Sequence, residues 1–178
     1  MLKRNLYFAP KSVKSKAYQA CVVPIVEYAS TCWSPTSEKL NNMLEMVQNN
    51  AARFISNAYA KKGNFEKISV TKILKNLNFA TLEERRRQAR LIMAYKIING
   101  YVILDSNLLP KFKNFGPLRQ CNSANVGYAN QLIEPSAILQ IIEHTFFYSV
   151  PKTWNETVSP AQAQAPSVDA FKGHFQNK

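Results

Sequence analysis

Between Thr81 and Gly100 the chain is punctuated as one helix, and this stretch limits the architecture more than any other. Thr81 followed three residues later by Glu84 has capping-box spacing, which marks a helix start. Gly100 stands where a left-handed C-cap belongs, after the apolar run Leu91-Ile-Met-Ala-Tyr95 and Ile97-Ile98. The two halves differ in chemistry. Arg85, Arg86, Arg87 and Arg90 crowd the first, and the second is apolar nearly all round. Such a helix is expected to root in a core at its end and to present cations at its start.

The other segments repeat the helical theme. Residues 12–33 place Val13, Ala17, Ala20/Cys21, Ile25 and Tyr28/Ala29 at helical spacing, with a kink expected at Pro24, which lacks an N–H. Ser34-Pro35-Thr36-Ser37 breaks the chain and caps the next element. Over 38–58, Leu40, Met43/Leu44, Val47, Ala51, Phe54/Ile55 and Ala58 recur with a period of about 3.6 residues, the pattern of a core-facing stripe. Asn41, Asn42, Glu45, Gln48, Asn49 and Ser56 fall on the opposite face. Tyr59 to Lys67, with Lys61 and Lys62 near its centre, reads as a basic loop. A short helix follows Ser69, carrying Val70, Ile73, Leu74 and Leu77.

Beyond Gly100 the periodicity fades and six prolines, from Pro110 to Pro166, interrupt it. Ser136 to Tyr148 reads equally as a helix or an apolar strand pair. Ala161-Gln-Ala-Gln-Ala-Pro166 reads as a linker whose alanines are also compatible with a helix. Ser167 caps a last short helix with Phe171 and Phe175 one turn apart. The fold class expected is therefore mainly α. Residues 1–100 form a basic, thumb-like helical bundle. Residues 101–178 form a less regular, proline-punctuated segment packing on it, with short helices and at most a short strand pair.

Charge points to a partner. Of a formal net charge of +12, residues 1–100 carry +11 (17 Lys/Arg against 6 Asp/Glu) and residues 101–178 carry +1 (6 against 5). A cationic half of this kind suits a polyanion, with nucleic acid ahead of an anionic membrane surface. Three cysteines without paired spacing fit a reducing, intracellular setting, nuclear or cytoplasmic. No run of apolar residues is long enough to span a bilayer.

Catalytic chemistry finds little to work with. The two aspartates, Asp105 and Asp169, stand far apart, whereas a two-metal phosphoryl-transfer site needs several carboxylates around ions about 3.5–4 Å apart. Neither the cysteines nor His144 and His174 show zinc-ligand spacing. The expectation is no catalytic residue, no metal and no cofactor. The arginine cluster carries a physical demand instead. Arg86–Arg90 and Arg87–Arg90 are like-charge neighbours on a helix, each pair costing about 0.2–0.5 kcal/mol. Glu83 and Glu84 offset part of that cost. A phosphate would turn the repulsion into charge-assisted hydrogen bonds. The alternative is that these arginines are paired within the fold. Lys61, Lys62, Lys72 and Lys75 lie nearby in sequence, and Lys11, Lys14 and Lys16 form a second, weaker patch at a helix start, where cations oppose the dipole.

The ordered set Leu2-Lys-Arg-Asn-Leu6, Lys16-Ala-Tyr18, Pro24-Ile-Val-Glu-Tyr-Ala-Ser30 and Trp33-Ser-Pro35 resembles the region just after the polymerase core of LINE-type (non-LTR) retrotransposon reverse transcriptases, the jockey-like group in particular. The resemblance continues through Leu44-Glu-Met-Val-Gln-Asn-Asn-Ala-Ala-Arg-Phe54, Thr81-Leu-Glu-Glu-Arg-Arg86 and Tyr95-Lys-Ile-Ile-Asn-Gly100. It extends to Phe146-Phe147, Trp154-Asn155 and Pro166-Ser-Val-Asp-Ala-Phe171, covering nearly the whole chain. It implies a fragment holding the helical thumb and the segment after it, without the palm, whose aromatic-Ala-Asp-Asp motif does not occur here. It implies a non-catalytic module derived from an RNA-directed DNA polymerase, gripping the backbone of a template–primer duplex or RNA. The missing fingers and palm would be a further partner. The matching positions are Arg53, Arg85, Arg86, Arg87, Arg90 and Lys96. The chain departs from the family at Tyr148-Ser-Val-Pro151-Lys152, where a Pro-Arg pair is expected. A structural or protein-interaction remnant without nucleic-acid affinity is the competing expectation.

Overall fold

The computed structural model describes residues 2–35, 37–58, 69–105, 107–113, 131–136 and 140–176, and they are mainly helical. The chain divides into two compact units, Met1–Arg86 and Arg87–Lys178. The division falls inside a helix, between Arg86 and Arg87, where the sequence reading set it after Gly100.

The first unit begins with α1 (Leu2–Asn5), α2 (Lys11–Cys21), α3 (Val23–Glu27) and α4 (Ser30–Trp33). The single kinked helix expected over 12–33 is thus three short ones. Pro24 sits in the first turn of α3, where its missing N–H costs nothing, so it starts a helix rather than bending one. Ala29 then takes a left-handed φ of 50° and turns the chain into α4. The exposed Trp33 donates its indole N–H to the Tyr28 carbonyl across this turn. Next come α5 (Glu38–Ile55) and α6 (Val70–Asn76), with Ser37 and Ser69 at their N-caps as expected. The residues 59–68, which include Lys61 and Lys62, lie outside the described residues.

Both α5 and α6 end in the same way. Asn57 (φ 52°) and Asn78 (φ 55°) adopt left-handed conformations. Ala58 N–H reaches Arg53 O and Phe79 N–H reaches Leu74 O, each at 3.0 Å, closing Schellman motifs with asparagine in the glycine position. The returning chain carries Leu77 and Phe79 onto Tyr18, Val23, Ala52, Ile55, Ile73 and Leu74, which are the unit's apolar interior.

The stripe assigned to the core in α5 is correct only toward its C-terminal end. Phe54 and Ile55 are buried, but Leu40, Met43 and Val47 are 50, 56 and 40% exposed. The inward stripe is Asn41, Glu45, Gln48, Ala52 and Ile55, rotated about 100° from the apolar one. The cause is the demand of the segment entering α7 (Leu82–Ile98), which brings N–H groups, a carbonyl and a guanidinium that need partners. Gln48, 1% exposed, donates to Ala80 O at 2.7 Å. Glu45 accepts from Glu83 N–H at 2.9 Å, and Asn41 accepts from Arg86 at 3.0 Å.

The second unit starts with the rest of α7, whose ends are those expected. Thr81 Oγ1 accepts from Glu84 N–H at 3.2 Å. At Gly100 (φ 74°), Tyr101 N–H bonds Lys96 O at 2.8 Å and Gly100 N–H bonds Ile97 O, a third Schellman ending. The helices α8 (Gln140–Glu143), α9 (Phe146–Thr157), α10 (Pro160–Ala163) and α11 (Val168–Gln176) complete the unit. Phe171 stacks between Tyr95 (4.5 Å) and Trp154 (5.8 Å), with Leu91, Ala94, Leu132 and Val150 around them. The strand pair considered over 136–148 is absent from its described residues, where α8 and the start of α9 lie. One isolated antiparallel bridge joins Phe112 and Leu132. The Asn155 side chain extends it, accepting from Leu132 N–H at 2.8 Å and donating to Leu132 O at 3.0 Å. Nor is 161–166 a linker. Ser159 and Gln162 form a full capping box on α10, Ala163 and Ala165 pack on the core, and Tyr95 Oη donates to Ala165 O. Ser167 Oγ caps α11 through Ala170 N–H.

Candidate nucleic-acid interface

A cation can bind phosphate only if its head is accessible and not already spent. Arg85 fails the second condition. Its Nη2 donates to Glu27 Oε2 at 3.0 Å and its Nε lies 2.6 Å from Glu27 Oε1, an ion pair anchored on α3. Burial pushes the Glu27 carboxyl above its ordinary range, and Arg85, then Arg86, pull it back. Arg86 fails the first condition, being 2% exposed with Nη2 on Asn41. The outward-pointing cluster expected at the start of α7 is therefore corrected at these two positions. Arg90 is half-buried and donates to the His144 carbonyl at 3.0 Å. Arg87 is also half-buried and engaged. Lys96 is half-buried on the same helix.

Lys14 is a second correction. Placed by sequence in a solvated patch with Lys11 and Lys16, it is 1% exposed. Its Nζ donates to Asn57 Oδ1 at 2.7 Å and stands 4.8 Å from the centre of the Phe54 ring. Lys14 joins α2 to the end of α5 and is unavailable to a ligand. Tyr18, one turn further on, is buried too. Desolvation raises its phenol to about 12, opposed by Arg85 and reinforced by Glu27 and Glu45. Its hydroxyl has no hydrogen-bond partner among the described residues.

The accessible cations are others. In the first unit Lys3, Arg4, Lys11, Lys16, Lys39, Arg53, Lys72 and Lys75 are exposed, and none makes an ion pair among the described residues. Among the described residues of this unit only two acids, Glu38 and Glu83, are exposed, because Glu27, Glu45 and Glu84 are partly buried. Of the expected contact residues, Lys11, Lys16 and Arg53 thus remain surface cations. Sequence reasoning passed over Lys3, Arg4 and Lys39 because each stands apart from the arginine cluster.

Among the described residues, no three His, Cys, Asp or Glu side chains are grouped as a metal site would require. No described helix is long and apolar enough to cross a membrane. No family model, curated protein or solved structure matches the chain.

Proposed function

We propose that this protein is a non-catalytic nucleic-acid-binding module that holds backbone phosphates, derived from the thumb and post-polymerase region of a LINE-type reverse transcriptase. One observation carries the reading: eight exposed cations against two exposed acids among the described residues of the first unit, after the internally paired residues are set aside. Scattered lysines and arginines of this kind neutralise phosphates and read no bases, so binding is insensitive to sequence. A polymerase core is the further partner that the family resemblance implies.

A salt titration of binding to a short DNA duplex tests the proposal. The log–log slope is expected at about −0.9 for each phosphate neutralised. Lys11→Glu and Lys16→Glu should each flatten it by about one. Arg86→Met should leave it unchanged, because that guanidinium is internal. A flat slope in the unaltered protein would sink the proposal. It would favour instead a protein-interaction module, a reading to which the exposed Leu40, Met43 and Val47 give independent weight.

A further inference from the structure

The apolar stripe that α5 turns away from the interior runs into a groove. Leu6, beyond α1, Ala17 and Val22, at α2, and Val47, Ala51 and Phe54 of α5 line a concavity of about 290 Å³. Beyond Val47 the stripe continues along α5 through the exposed Met43 and Leu40. From Leu40 to Phe54 it is about 21 Å long at 1.5 Å per residue, the length of a four-turn helix. Two of the groove's lining residues are cationic and none is acidic. Lys14 is spent on Asn57, but Lys3 is exposed, and so is Arg53, which precedes the lining residue Phe54 on α5 without itself lining the groove.

We propose that this groove docks an amphipathic helix of a partner protein, one that carries acidic side chains beside its apolar stripe. Its apolar positions would seat at i, i+3/i+4 and i+7 against Val47, Ala51 and Phe54, and its carboxylates would meet Lys3 and Arg53. Charge selects this occupant. A second copy of the chain would bring the same cationic rim to the same place, on a molecule of net charge +12. Nucleic acid offers no apolar ridge to fill the concavity, and an anionic bilayer offers a flat face.

The test uses the full chain and a labelled synthetic helix with leucines at helical spacing flanked by glutamates. A counterpart has every glutamate replaced by lysine. Fluorescence anisotropy should show saturable binding of the acidic helix and at least tenfold weaker binding of the basic one. Val47→Glu and Met43→Glu, both at exposed helical positions and checked for retained helicity, should each weaken the acidic helix about tenfold. Lys3→Glu should narrow the preference for it. Duplex binding should survive Val47→Glu, which separates this groove from the phosphate-binding surface. Equal affinity for the two helices, or indifference to both α5 variants, overturns the assignment. A dimer dissolved by Val47→Glu, binding to phosphatidylglycerol vesicles abolished by it, or duplex binding lost with it would also do so, in favour of a second copy, a membrane or one shared surface.

Discussion

Two buried polar side chains of α2 show how single residues are held, and each yields a measurable outcome. The Lys14 ammonium depends on one amide oxygen, that of Asn57, whose backbone is left-handed. Asn57→Gly keeps that conformation accessible while removing the acceptor, so the loss is confined to a charge-assisted hydrogen bond. Urea unfolding should show a destabilisation of about 1–3 kcal/mol. Lys14→Met removes the charge along with its need and should be close to neutral. Tyr18 poses the opposite case, a hydroxyl with no partner among the described residues. Its phenol rises from 10.0 to about 12 on folding, so between those pH values the unfolded chain gives up a proton that the folded chain keeps. The stability this group contributes is whole below pH 10 and is lost as pH rises toward 12, by up to about 1.4 kcal/mol per pH unit. Tyr18→Phe should reduce that alkaline loss, as followed by unfolding at a series of pH values, and should not destabilise the protein at neutral pH.

Among the elements, α5 explains both what was legible in the sequence and what was not. Helix ends were readable, since Thr81, Ser167 and Gly100 act through bonds to backbone a few residues away. Helical period was readable as well, but the face it buries was not. That choice depended on Ala80, Glu83 and Arg86, more than thirty residues downstream, and on partners for their polar atoms. The same long-range demand hid the candidate site: Glu27 lies 58 positions from Arg85, too far for local pairing rules to find. The rotation of α5 has a direct test. Gln48→Leu should cost about 1–2 kcal/mol although it adds apolar surface, because Ala80 O loses its donor. Met43→Gln, on the exposed stripe, should cost less than about 0.5 kcal/mol. Thermal denaturation of the two variants would reverse that order if the apolar stripe were the buried one.

At the level of the whole molecule, each of the two units has its own interior, and the cationic surface belongs to the first. Asn155 gives a handle on the second alone, since its side-chain amide satisfies both backbone groups of the buried Leu132. Asn155→Ala strands both and should destabilise that unit by about 2–3 kcal/mol, read by denaturation. Duplex affinity, measured below the transition, should stay where it was. The protein also carries the means to follow such an experiment. Of its two tryptophans, Trp33 faces solvent in the first unit and Trp154 is sealed against Phe171 in the second. Their fluorescence should therefore differ in colour and in access to iodide. Single-tryptophan versions of the chain would give each half its own optical signal, so that the loss of one could be watched while the other stays dark.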